Sequence, residues 1–265
     1  MRNRFTSGSS GIAMMILLSL LGCNGDNSAK QELTEGYSSL DARQYDQAIS
    51  QADEFLQHTP AGPGSAEALY LKGRALEQKP AGSVSESRAN LQSAREAYID
   101  ALQRNPSPQL EAYIYTSLAN VAYSQDDYAA AATNWTIAYG KLDDPGIKSW
   151  VLYRIGLCRQ RLGDFADADV AFQSVQSLYP NSPAAQRSLE HQGVRGFSVQ
   201  MATFATASTA DSAILSLRSQ GVLASKKLDT RGRSVVMVGP LASYQQAQSI
   251  KMRYASAYPN AIILP

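Results

Sequence analysis

The chain is poor in the residues that carry chemistry. Its 265 residues include only two cysteines, two histidines and two tryptophans. A disulfide-stapled scaffold needs several cysteine pairs, so that class is excluded. The histidines, His58 and His191, stand far apart and near no nucleophile, and both read as solvated helix-end residues. No phosphate loop, metal-ligand spacing or nucleotide fingerprint occurs, so neither catalysis nor a cofactor is expected. Long apolar runs are scarce as well. "IAMMILLSLL", residues 12–21, is about ten residues long, where a membrane-spanning helix needs about twenty. Acidic residues nearly vanish toward the end. Residues 197–265 hold two against seven Lys and Arg, a net +5, while residues 24–196 carry a net −6. Such an asymmetry points to two modules with different partners.

What is present begins with a targeting segment. Arg2 and Arg4 precede the short apolar run, the pattern of a signal peptide. "LLGC", Leu20 to Cys23, follows at once and resembles the lipobox of bacterial lipoproteins. The resemblance implies a diacylated Cys23 thiol, cleavage before it and an acylated new amine. Several acyl chains at ~0.8 kcal/mol per buried methylene anchor a protein stably. The resemblance places the protein in the cell envelope, facing the periplasm. Asn24, standing where an Asp would favour retention in the inner membrane, points to the outer membrane, with the inner membrane as the alternative. Acylation of Cys23 leaves Cys158 alone in an apolar helical stretch, a small buried side chain rather than a redox group.

Residues 29–182 repeat themselves. "LYRIGLCRQRLGDFADADVAFQSVQSLYP" contains Gly156, Gly163, Phe165, Ala168, Phe172 and Pro180, and resembles the tetratricopeptide repeat (TPR), a helix–turn–helix of about 34 residues. Upstream copies hold Ala119, Tyr128, Ala131, Trp135 and Ala138; Gly73, Ala94, Tyr98, Ala101 and Pro106; and Gly36, Tyr45, Ala48, Phe55 and Pro60. Tyr98, Trp135 and Phe172 are spaced by 37, as are Ala94, Ala131 and Ala168. A short side chain lets two helices approach, and an aromatic one turn later fills the gap. Pro60, Pro106 and Pro180 stop the second helices, because proline lacks a donor and clashes in a helix interior. About four such units suffice for a stacked core. The insert "PAGSVSESRANLQ" in the second unit predicts a longer turn plus extra helix. Ser182 then Pro183 predict the start of a capping helix, and Gly193 its stop.

The C-terminal segment changes period. "FSVQMATF", residues 197–204, alternates as a strand does. Phe197, Val199 and Met201 are expected on one face, Ser198, Gln200 and Ala202 on the other. A helix capped by Ser208 and Asp211 follows, with Ala210, Ala213, Ile214 and Leu217 on its apolar face and Gly221 at its end. "VLASKKL" and "RGRSVVMVGP" read as strands, "SYQQAQSIKMRYASAYP" as a second helix capped by Ser243 and Gln246, and "AIIL" as a last strand. The order is βαββαβ. With "VQ…F" (Val199, Gln200, Phe204), the helix ending at Gly221 and "V-x-V-G-P" (Val236 to Pro240), this segment resembles the SPOR domain. That resemblance implies a four-stranded antiparallel sheet with both helices on one face and an open face that binds peptidoglycan glycan strands lacking stem peptides. It makes Gln200, Ser198, Ala202 and Thr203 candidate glycan-binding residues. Arg231 and Arg233, clustered with Lys226 and Lys227, suit the lactyl carboxylates of such a glycan. The family commonly has Gly where Ala202 stands, and often an aromatic or Arg early in the third strand, where Arg233, Ser234 and Val235 stand. The same element order occurs in RNA-binding modules, which stack bases on sheet aromatics; that aromatic-rich third strand is missing, and no nucleic acid is expected.

The sequence thus predicts an α + α/β two-domain protein, a TPR-like α-helical solenoid followed by a small βαββαβ domain. Its parts are a lipoprotein signal peptide (1–22), a lipidated tether (23–28), TPR-like repeats with a capping helix (29–192), a linker (193–196) and a SPOR domain (197–265). The expected function is non-enzymatic: glycan binding by the SPOR domain, an unidentified protein partner in the TPR groove, and a membrane reached through the lipid anchor. Division or cell-wall remodelling is the expected setting. The alternative is an envelope scaffold acting through the repeats with little or no glycan binding.

Overall fold

The computed structural model describes residues 26–265; the signal peptide and Cys23 lie outside the described residues. Cα packing divides the chain into one unit up to Leu110 and a second from Glu111 onward.

The first unit holds α1 (Asp26–Asp41), α2 (Tyr45–His58), α3 (Pro63–Gln78) and α4 (Val84–Leu102). Ala48, Ala52, Phe55, Ala68, Leu71 and Ala75 form one buried cluster, so the small residues lie where helices approach. The insert in the second repeat forms no separate helix. It supplies the turn after α3 and the front of α4, which runs 19 residues where α2 runs 14. Ser83 caps this lengthened helix by accepting from the Glu86 amide at 3.1 Å, and Glu86 accepts in return from Gly82 N–H at 2.7 Å. That reciprocal cap starts the helix early.

The division falls within the first turn of α5 (Pro108–Ser124), and the second unit goes on with α6 (Tyr128–Lys141), α7 (Pro145–Leu162), α8 (Phe165–Leu178) and α9 (Pro183–His191). The aromatics spaced by 37 are, with Phe55, the largest fully buried side chains among the described residues: Trp135 and Phe172 here, Tyr98 in the first unit. A glycine makes room for two of these aromatics. A Cβ on Gly156 of α7 would lie 2.6 Å from the Phe172 ring, and one on Gly73 of α3 only 2.4 Å from the Tyr98 ring. Two residues before each of α2, α6 and α8 the chain turns through the left-handed region, at Arg43, Asp126 and Gly163. Only Gly163 does so without a Cβ penalty. Ser182 caps α9, accepting from Ala185 N–H.

The rest of the unit is β1 (Phe197–Phe204), α10 (Ala207–Ser219), β2 (Ala224–Leu228), β3 (Ser234–Leu241), α11 (Tyr244–Arg253) and β4 (Ile262–Leu264). The strands form an antiparallel sheet in the order β2-β3-β1-β4. Phe197, Val199, Met201, Val236 and Val238 pack with Ala210, Ile214, Leu217, Ala247 and Tyr254; both helices therefore cover the same face. The cap of α10 is Thr206, not Ser208: Thr206 Oγ1 accepts from Thr209 N–H, which starts the helix at Ala207. Ser243 caps α11 as expected, and Gln246 returns its bond one residue early, to Ala242 N–H. Among the described residues no helix is long and apolar enough to cross a membrane.

Candidate functional site

The open face of the sheet is set by register. Gln200 pairs with Met237 on one side and Ile262 on the other, and Ser198 pairs with Leu264. The next pair is Ala202 with Val236, then Thr203 with Val235. Two residues of β1 thus oppose one of β3, a bulge at Met201. Directly paired residues share a face, and Val236 lies in the helix-side core. Ala202 therefore faces the helices, against the expectation of simple alternation. A bulge inserts an extra residue and turns the rest of the strand over. The same shift brings Thr203 onto the open face. The Gln200 side-chain amide donates to Thr203 Oγ1 at 3.4 Å. Val235 and Met237 form an apolar floor between β1 and β2, and Ser225 and Lys227 border it on the β2 side.

The expected cation cluster is dispersed. Lys226 pairs with core-side Val236 and its ammonium meets Asp211 of α10 at 2.6 Å, so it belongs to the helix face. Arg233 is bound to Asp229, at 2.7 Å through each of Nε and Nη2. Asp229 also accepts from the backbone N–H groups of Arg231 and Arg233 at 2.9 Å. The Arg233 backbone bond is the main cause that holds the Asp229 carboxyl below its ordinary range. Arg233 serves the turn, and Arg231 stands beside it, exposed. Ser234 and Val235, at the position of the missing aromatic, are buried.

A second constellation joins the sheet to the repeats. Arg161, in the last turn of α7, lies over three rings: Tyr123 at 4.5 Å, Tyr128 at 4.8 Å and Tyr244 at 4.4 Å from guanidinium carbon to centroid. It donates to Tyr128 Oη at 2.9 Å. Burial pushes the Tyr123 hydroxyl up to about 12, so its ring stays neutral beneath the cation. Tyr128 donates to Asp126, which also accepts from Gln248 of α11 at 2.8 Å. Phe165 of α8 packs into the core under the sheet and meets the Phe197 ring at 6.1 Å. The 193–196 linker is tied down as well. Asp169 accepts from Gly193 N–H at 2.8 Å and pairs with Arg195 at 2.7 Å. Local pattern gives no sign of Arg161, because its partners come from α5, α6 and α11.

His191 is not a solvated helix end. It is half-buried, with ring contacts to Tyr153 and Phe172 and a 3.0 Å bond from Nδ1 to Gln160 Oε1. Burial holds its imidazole below the ordinary value. Cys158 is fully buried and burial pushes its thiol up to about 12, which makes it a packing residue. Among the described residues no three His, Cys, Asp or Glu side chains gather as a metal site would require.

These two assemblies define a helical-repeat protein fused to a small antiparallel α/β binding domain. Residues 193–265 match the family model of the SPOR domain, and residues 33–89 and 150–182 match models of the tetratricopeptide repeat. The chain carries TPR repeats, a protein-interaction module, and a C-terminal SPOR domain, a member of a family of peptidoglycan-binding domains. Both are binding modules rather than catalytic ones. Among solved structures the chain is similar to the MamA protein, with 17% identity and a TM-score of 0.47 over 64% of this chain and 85% of that one. It is also similar to PilF of Pseudomonas aeruginosa, with 15% identity and a TM-score of 0.49 over 89% and 95%. No curated protein matches the chain.

Proposed function

We propose that the protein is a non-enzymatic lipoprotein of the bacterial envelope, anchored through Cys23 to the outer membrane and facing the periplasm. It holds glycan strands lacking stem peptides on the open face of its SPOR sheet and recruits a protein partner in the groove of its TPR repeats. Its setting is division or cell-wall remodelling, where such glycan is exposed. The observation that carries the glycan reading is the Gln200–Thr203 pair on the sheet face that α10 and α11 leave uncovered. An amide offers donors and an acceptor, and a hydroxyl offers both, which suits sugar hydroxyls and N-acetyl groups.

The test is co-sedimentation of the whole chain with glycan stripped of stem peptides, beside untreated sacculi. The wild type should pellet with the stripped glycan. Gln200→Ala should weaken binding by about 0.5–1.5 kcal/mol per hydrogen bond lost while leaving stability within roughly ±0.5 kcal/mol. Failure of the wild type to pellet rejects the glycan reading in favour of a scaffold that acts through its repeats.

A further inference from the structure

Resting on the glycan reading, we propose that Lys227 is the residue with which the open face recognises the carboxylate of an anionic sugar chain. Residues 197–265 contain two acidic residues, Asp211 and Asp229. Asp211 is occupied by Lys226 and Asp229 by Arg233. The module's net +5 therefore resides on its other cations. Arg218 donates to the Ala224 carbonyl, at the start of β2. Lys251 and Arg253 lie in the last turn of α11, on the covered side of the sheet, and Arg253 stacks on Tyr254. Arg231 stands at the β2–β3 turn. Lys227 alone among these cations sits within a strand of the sheet with its register on the open face, opposite Val235.

Val235 in turn pairs with Thr203. Lys227, Val235 and Thr203 make one rung across three strands, and Gln200 joins that rung through Thr203. Strands lie about 4.8 Å apart, so the Lys227 and Thr203 backbones are about 10 Å apart. A lysine stem spans much of that distance over the floor. A sugar hydrogen-bonded to Gln200 and Thr203 thus places a substituent carboxylate within reach of the ammonium. Lysine on an edge strand also discourages pairing with another sheet, but that role gives no preference between a charged and an uncharged sugar.

The experiment compares stripped glycan with the same glycan after its carboxylates are reduced to alcohols. It uses the whole chain as wild type, Lys227→Met, Lys227→Gln and Lys226→Met. The wild type should prefer the native glycan by roughly fivefold, the effect of one well-placed exposed ion pair. Both Lys227 variants should bind the two glycans alike, at the level of wild type on reduced glycan, and Lys226→Met should keep the preference. Lys227 variants that keep the full preference, or a wild type that binds both glycans equally, overturn this assignment and leave the glycan reading standing. A wild type that binds neither glycan overturns the glycan reading itself.

Discussion

Arg161 and Tyr244 come from different modules of the chain, and the guanidinium carbon of the first lies 4.4 Å from the ring centroid of the second. A cation desolvated over one aromatic face contributes ~2 kcal/mol, and contacts that share one group are not additive. Arg161→Ala should therefore cost roughly 2–4 kcal/mol by urea denaturation of the whole chain. Arg161→Lys should recover part of this, because it keeps the charge and loses the planar stack. A midpoint unchanged in Arg161→Ala contradicts the clamp.

Gly156 poses a contest of two effects. Glycine to alanine inside a helix ordinarily gains about 1 kcal/mol. Here the new Cβ would lie 2.6 and 2.8 Å from two carbons of the Phe172 ring, and that ring is wedged against Tyr153 and His191. Overpacking costs about 1–3 kcal/mol, so the clash should win and Gly156→Ala should lower the melting temperature. A rise would show that the ring can step aside.

His191 sets a pH dependence. Its folded pKa is lowered, first by burial, while the unfolded chain takes up the proton near 6.5. Below about pH 6.5 the unfolded state binds more protons than the folded one, so stability falls as pH drops toward the folded value. Thermal melts of wild type and His191→Gln between pH 7.5 and 5 should diverge, with the steeper decline in the wild type. Parallel curves would remove His191 as the source.

Cys23 should take up labelled palmitate in cells of a lipoprotein-processing bacterium, and Cys23→Ser should not. Equal labelling of both proteins would end the anchoring proposal.

How much of this was legible in the sequence depends on the range of the forces involved. The repeats announce themselves because small residues and rings recur at a fixed spacing, and the close approach of Gly156 to the Phe172 ring has its counterpart in Gly73 and Tyr98. The helix-side face of β1 is legible because burial imposes a period of two on Phe197, Val199 and Met201. Ala202 breaks that reading: a bulge depends on how β3 pairs across the sheet, which no alternation within β1 records. Lys226 and Arg233 look like free charges until folding brings Asp211 and Asp229 to them. Arg161 is illegible for the same reason on a larger scale, since its three rings are gathered from three helices.

The insertion of Phe165 beneath the sheet, with Asp169 fastening the 193–195 stretch, bears on how freely the sheet can turn relative to the repeats beside it. A module on a free tether can swivel, and its grip reports only that it has found its ligand. Here Phe165, Arg161 and Asp169 hold the sheet against α7 and α8, so under the proposed glycan binding the direction of a held strand would follow the axes of those helices. Under the proposed glycan binding, a pull on a held strand would act on the stacked rings around Arg161, which lie between the sheet and the repeats.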